Sequence, residues 1–217
     1  MPPRSAPTRY AVITADVVGS RNIQSFRAKR DRLLAAASQL HLEQKLILSP
    51  WTVTAWDEFQ AILRKPEYVP RAILDLRRLL FPFELWIAVG MGSVSEAHKR
   101  PVNQYAGGEA FERARKAADR LKLGSPKFRV LTSFESGNKI FDSIANTIYR
   151  LQDALLDRIT ARQWATINVQ MNTSHQELTA RKLSLDVSTV SRNLKRGYYW
   201  HLVETADAMK YIIHAYF

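Results

Sequence analysis

The sequence predicts an α+β chain: an α/β sandwich on a mainly antiparallel sheet, followed by an all-α segment. Two observations predict it. Up to residue 137, short β-branched runs alternate with stretches of helical period, in the order β-α-β-β-α-β plus one further helix and strand. That order is the split βαβ pattern of ferredoxin-like folds. From Asn138 onward no strand signal recurs, and apolar residues step by three and four.

The elements follow in order. Arg9–Arg21, "RYAVITADVVGSR", is apolar and β-branched and ends in Gly-Ser, which predicts a buried strand and then a turn. Residues 24–40 place Phe26, Leu33, Leu34, Ala37 and Leu40 on one helical face. Lys45–Lys65 reads as two strands turning at Trp56-Asp57-Glu58. Residues 67–80 form a helix carrying Val69, Ile73, Leu76 and Leu80, and Phe83–Ser95 is another strand. A polar loop, "EAHKRPVNQYAGG", leads to a helix over about 109–123 and a last strand over Lys127–Phe134. Beyond it, Ile140, Ile144, Ile148, Leu151, Leu155 and Ile159 mark one long amphipathic helix, a connector whose stripe packs on the first domain or on a second copy. "TARQ" at Thr160 and "SHQE" at Ser174 have the form of capping boxes and mark two new helix starts. The expected division is therefore 8–136, a connector at 137–159, and 160–217.

Composition narrows the chemistry. There is no cysteine, so disulfides and thiolate metal sites are excluded and a reducing cytoplasm is the expected compartment. No run approaches the roughly 18 apolar residues of a membrane span, and "MPPRSAPTR" lacks the apolar core of a signal peptide. The net charge of +12 favours a polyanionic partner such as nucleic acid. That excess is not confined to the tail: residues 1–137 hold 22 basic and 13 acidic residues, against 10 and 7 in residues 138–217. The five histidines, at 41, 98, 175, 201 and 214, have no ligand spacing. Gly90-x-Gly92 is too short for a phosphate loop and is read as a place where a helix packs on the strand.

The stretch Leu178–Gly197, "LTARKLSLDVSTVSRNLKRG", reads as two short helices with a bend. Small Ala180 permits a close crossing, and Leu183, Val190 and Leu194 fill the wedge. Asp186 or Ser188 can cap the second helix. That leaves Ser188, Thr189, Ser191, Arg192, Asn193, Lys195 and Arg196 exposed. Such hydroxyl, amide and basic groups donate to phosphates and read base edges. With Gln176, Ala180, Leu183, Thr189-Val190-Ser191-Arg192 and Leu194, the unit resembles the helix-turn-helix of bacterial transcription regulators. Ser184 stands where glycine is usual, so a left-handed serine is expected. "ITARQ" (Ile159–Gln163) resembles the first helix of such domains, and the likeness spans residues 158–217.

"ITADVVGSR" and "AWDEFQAIL" put Asp16 at the end of the first strand and Asp57 in the next hairpin turn. In this they resemble class III nucleotidyl cyclases, whose aspartates in these two places hold divalent ions at a triphosphate. "LWIAVGMGSV" (Leu85–Val94) and "YAGGEAFERARKAADRL" (Tyr105–Leu121) follow the same order. The chain as a whole is similar to the SatD family, which pairs a cyclase-like domain with a C-terminal helix-turn-helix. The resemblance implies that Asp16 and Asp57 hold Mg²⁺ or a nucleotide; read as residues alone, they serve equally as turn aspartates that cap backbone amides. The departures are Trp56 for the hairpin glycine, Glu112 and Lys116 for the asparagine and arginine that stabilise the transition state, and Thr52, Val53, Thr54 and Ala55 where a base-reading lysine belongs. Arg115 lies on another face of that helix. No catalytic residue is therefore assigned.

The expected protein is a bacterial DNA-binding transcription regulator and a homodimer on double-stranded DNA, with no membrane partner. Its first domain is a degenerate cyclase-like sensor with a nucleotide as possible effector. The alternative is a metal-dependent nucleotide-binding or cyclase-like enzyme using Asp16 and Asp57.

Overall fold

The computed structural model describes residues 9–95, 107–125 and 127–217. The expected lead-in at 1–8 and most of the polar loop, 96–106, lie outside the described residues. Along the chain come β1 (Tyr10–Val17), α1 (Phe26–Glu43), β2 (Thr52–Val53), β3 (Glu58–Leu63), α2 (Val69–Leu79), β4 (Leu85–Gly92), α3 (Glu109–Leu123) and β5 (Thr132–Glu135). Five helices follow: α4 (Lys139–Leu156), α5 (Ala161–Thr173), α6 (Gln176–Leu183), α7 (Val187–Arg196) and α8 (Tyr199–Tyr216). The chain is thus mixed α and β, with one five-stranded sheet.

The sheet order is β2-β3-β1-β4-β5. All neighbours are antiparallel except β4 and β5, which run parallel. Period-two alternation sorts each strand between two faces. Ala11, Ile13, Ala15 and Val17 of β1, with Phe59, Ala61 and Leu63 of β3 and Ile87, Val89 and Met91 of β4, face the main core under α1 and α2. Tyr10, Val12 and Ile62 face the other way, onto Ala110 and Ala114 of α3. There α3 sits so close that a Cβ on Gly90 would lie 2.0 Å from the Ala110 carbonyl oxygen. Gly90 is therefore a packing glycine, as its pattern suggested.

Two strands are shorter than their apolar runs. The run from Lys45 pairs regularly only at Thr52–Val53, with an isolated bridge from Ile47 to Leu63 upstream. Pro50 has no amide to offer a ladder, and the Trp51 amide donates to Ser38 Oγ on α1 (3.0 Å), which draws the chain off the sheet. The last strand begins at Thr132 rather than Lys127. Arg129 turns outward to ion pairs with Glu84 and Asp157.

Helix α4 meets the sheet with a face other than the expected stripe. Its buried residues are Phe141, Ala145, Tyr149 and Asp153, whereas Ile140 and Leu151 are 66% and 68% exposed. The reason is polar. Helix α4 lies along the free edge of β5 and satisfies it with side chains. Asn146 accepts from the Phe134 amide (2.8 Å) and donates to its carbonyl (3.0 Å). Asp153 accepts from the Leu131 and Thr132 amides (2.8 and 2.9 Å), and Asp142 from Ser136 (2.8 Å). An edge strand otherwise invites foreign pairing, and here a helix covers it. Phe134, Phe141 and Tyr149 fill the space between these bonds, with the Phe134 and Tyr149 rings 4.9 Å apart.

Thr160 opens α5 with both halves of a capping box. Ser174 does not open α6. It is left-handed (φ 60°) and closes α5, and His175 precedes α6 without a side-chain cap. Helix α8 then folds back on α2, placing Met209 and Ile213 in the main core beside Val69 and Ile73.

Replacing Asp153 with alanine leaves two edge amides unpaired and strips buried Arg77 of its carboxylate, 3.4 Å away. We expect a loss of about 3–5 kcal/mol, read as a lower urea midpoint with an unchanged slope.

Candidate nucleic-acid interface and acidic pair

The three helices α5, α6 and α7 pack on one another around Trp164, Ile167, Ala180, Val190 and Leu194. Ala180 is 4% exposed, Val190 and Leu194 are fully buried, and Leu183 is half-buried. The bend after α6 is a Schellman closure: Ser184 is left-handed (φ 52°, ψ 47°) and the Leu185 amide donates to the Ala180 carbonyl (2.9 Å). Leu185 then packs on the same cluster. Asp186 stands at the start of α7 without a side-chain cap; its backbone carbonyl accepts from Thr189 and Val190.

The residues expected to face DNA differ in exposure. Ser188, Arg192, Lys195 and Arg196 are exposed, while Gln176, Thr189, Ser191 and Asn193 are half-buried. Arg192 is drawn back along its own helix, with Nε to the Ser188 carbonyl (3.3 Å) and a terminal nitrogen to Thr189 Oγ1 (3.1 Å). Asn193 points inward and donates to Thr166 Oγ1 on α5 (3.1 Å), so it braces α7 rather than presenting an amide. Arg162, Arg181 and Lys182, which the sequence reading passed over, add exposed positive charge on α5 and α6. Glu177 and Asp186 line the shallow cleft between Arg162 and Arg181 and temper that charge.

In the sheet, strand pairing brings acids together. Asp16 lies across from Glu58 on β3 and Trp86 on β4, on the α3 face of the sheet. Asp57 is held at the end of the hairpin turn: its carbonyl accepts from Val17 (3.3 Å) and its carboxylate from Ser20 Oγ (2.5 Å). Burial first, then the charges of Asp57 and Glu58, push the Asp16 carboxyl up to about 6; Lys122, 3.9 Å away on α3, and the Val17 amide oppose the rise. Because the folded value lies above the ordinary 3.8, this group favours the fold below pH 4 and withdraws that support as pH rises through 6.

Trp56 lies over the start of α1. Its ring stacks on Phe26 with centroids 6.2 Å apart, and Arg27 sits 4.0 Å over it. Glu112, Arg115 and Lys116 are all exposed on α3. Among the described residues, no group of three or more His, Asp or Glu side chains could hold a metal ion. What the pair offers a hard cation is carboxylate oxygens from Asp16 and Asp57 alone. Glu58 follows from the register once the hairpin is paired, but Ser20 and Lys122 arrive through loop and helix placement that carries no local signal.

Since Asp57 raises the Asp16 value, Asp57→Asn should lower the Asp16 midpoint from about 6, followed by carboxyl-carbon NMR titration. An unchanged midpoint would show that the two carboxylates do not sense each other.

Among the described residues, no helix is long and apolar enough to cross a membrane. A comparison with curated proteins found no match. Among solved structures, the crystal structure of the guanylyl cyclase Cya2 is 14% identical, with 49% of this chain and 68% of that chain covered at a TM-score of 0.29. The crystal structure of a regulator of polyketide synthase expression from Bifidobacterium adolescentis is 13% identical, with 96% of this chain and 82% of that one covered at a TM-score of 0.26. Neither is close enough to carry an argument. The model of the SatD family, in contrast, matches residues 10–209, and the chain belongs to that family.

Proposed function

We propose that the protein is a DNA-binding transcription regulator acting as a homodimer, with α7 as its recognition helix and a ferredoxin-like, nucleotidyl-cyclase-like unit as its sensor. One observation carries this reading. Helices α6 and α7 cross over a left-handed Ser184 with a sealed apolar wedge, and Ser188, Arg192, Lys195 and Arg196 stand out from α7 toward solvent. Three of these four are cations, with no acid among the exposed residues of α7 to repel a phosphate backbone. A helix laid in the major groove uses them for phosphates and base edges. In this reading Gln176 and Arg181 meet the backbone, while Asn193 supports α7 from behind.

The acidic pair favours a second reading, a nucleotide- and Mg²⁺-dependent enzyme of the cytoplasm. Its support is the nearness of Asp57 to the half-buried Asp16 carboxyl, whose charge burial and Asp57 disfavour and a cation would relieve. Exposed Glu112, where a transition-state donor would be needed, speaks against turnover. Release of cyclic nucleotide or pyrophosphate from GTP, abolished by Asp57→Ala, would put this reading first.

On duplex DNA, Lys195→Ala and Arg196→Ala should weaken binding to all sequences alike and flatten its salt dependence. Arg192→Ala should cost about 1–3 kcal/mol and relax preference at one base. Fluorescence anisotropy at low salt measures both, and an intact protein that retains no duplex DNA would end the regulator reading.

A further inference from the structure

The outward face of α4 has no partner among the described residues of the chain. Its inner face is spent on β5, yet the outer face is apolar. At 100° per residue, Ile140, Ile144, Leu151 and Leu155 fall within an arc of roughly 60°, opposite buried Tyr149 and Asp153. Ile140 and Leu151 are about two-thirds exposed, Ile144 and Leu155 are half-buried, and Ser143, Thr147 and Ala154 between them are small and exposed. Four large aliphatic side chains in a row on a solvated helix face call for a partner.

The stripe says which partner. It reads the same in both directions about the step from Thr147 to Ile148: Ile140 is as far before that point as Leu155 is after it, and Ile144 as far before as Leu151 after. A surface with this property complements itself under a two-fold rotation, which is the requirement of an isologous interface. We propose that α4 is the two-fold interface between two copies of this chain, packed antiparallel with Thr147 near the axis. Ile140 then meets Leu155 of the partner subunit, and Ile144 meets Leu151 of the partner subunit. The small residues at 143, 147 and 154 admit close helix approach.

The contact line from Ile140 to Leu155 runs ~22 Å along the helix. One helix pair falls short of the ~1,200–2,000 Å² that a standard interface buries. Phe128 extends it. Its ring is 51% exposed and lies under the Arg150 guanidinium at 4.9 Å, on the flank of the same helix. The expected dimer is reversible and concentration-dependent. The inference deepens the homodimer of the proposed regulator and rests on that reading, but it stands on residues outside α5–α7, so the two can fail separately.

The test uses the full chain in two arms. In sedimentation velocity at tens of micromolar, the native protein should run as a dimer. Ile140→Glu with Leu151→Glu should run as a monomer with an unchanged far-UV spectrum, since both positions are solvated in one copy. The second arm exploits the absence of any cysteine. Thr147→Cys, next to the axis, should form a disulfide with its own copy under mild oxidation. Ile140→Cys alone should not, because its mate is Leu155 of the partner subunit, whereas Ile140→Cys with Leu155→Cys should. A native monomer at these concentrations, a dimer indifferent to the two glutamates, or crosslinking through Ile140→Cys alone would each overturn the proposal. A dimer that behaves as described yet retains no duplex DNA would overturn the regulator reading and leave this interface standing.

Discussion

Asp75 has no exposed surface, and much of the architecture follows from the need to keep its charge company. Burial alone would lift its carboxyl. His41, Arg78 and Arg71 together outweigh burial and hold it at about 2, below the ordinary 3.8. Arg71 Nε and Arg78 Nε each lie 2.7 Å from its oxygens. His41 Nε2 lies at 3.5 Å, too long for a good hydrogen bond but close enough for attraction. Trp51 donates its indole N–H to His41 Nδ1 (3.0 Å), and since indole can only donate, the imidazole proton sits on Nε2, facing the carboxylate. Breaking such a set strands a buried charge, so its members are constrained together.

The set reaches past the sheet. Arg78 uses a terminal nitrogen on Asn168 Oδ1 (2.7 Å) and Asn172 Oδ1 (3.3 Å) of α5. Its neighbour Arg77 turns the other way, to the Leu85 and Leu131 carbonyls, Thr132 and Asp153. Two consecutive arginines on a buried helix thus tie α2 to the helical cluster on one side and to β4, β5 and α4 on the other. Leu74 of α2 joins the cluster around Trp164, and Phe81 stacks on Trp164 with centroids 6.1 Å apart. The stretch that follows the sheet is held against it by a charged seam as well as by apolar contact.

Element type and order were legible in the sequence because alternation and helical period report burial directly. Gly90 was legible as a packing glycine, and Ser184 as a left-handed turn, because backbone geometry restricts those positions to few residues. The inward face of α4 was not legible for a physical reason. Asp142, Asn146 and Asp153 look like a solvated stripe when a helix is assumed to bury only apolar groups, and an uncovered strand edge reverses that logic. The inward turn of Asn193 likewise depends on Thr166, twenty-seven positions earlier on another helix. The acidic pair was half legible. Asp16 and Asp57 could be named from the strand and its turn, but Ser20 and Lys122, which set their charge, belong to tertiary placement.

Helix α8 has a consequence for how the chain reaches its fold. Met209 and Ile213 are fully buried in the core that β1 opens, and His214 approaches Glu67 at 3.3 Å. The sheet therefore cannot complete its hydrophobic interior until residues from far down the polypeptide return to α2. Contacts of such long sequence separation raise the contact order, and the entropy of closing that loop is spent before the contacts repay it. The sheet and the helical cluster are in this sense one cooperative unit. Cutting between them would leave Val69 and Ile73 facing water and β5 without its edge cover, so a dissected sheet fragment is a candidate for aggregation rather than for an independent module.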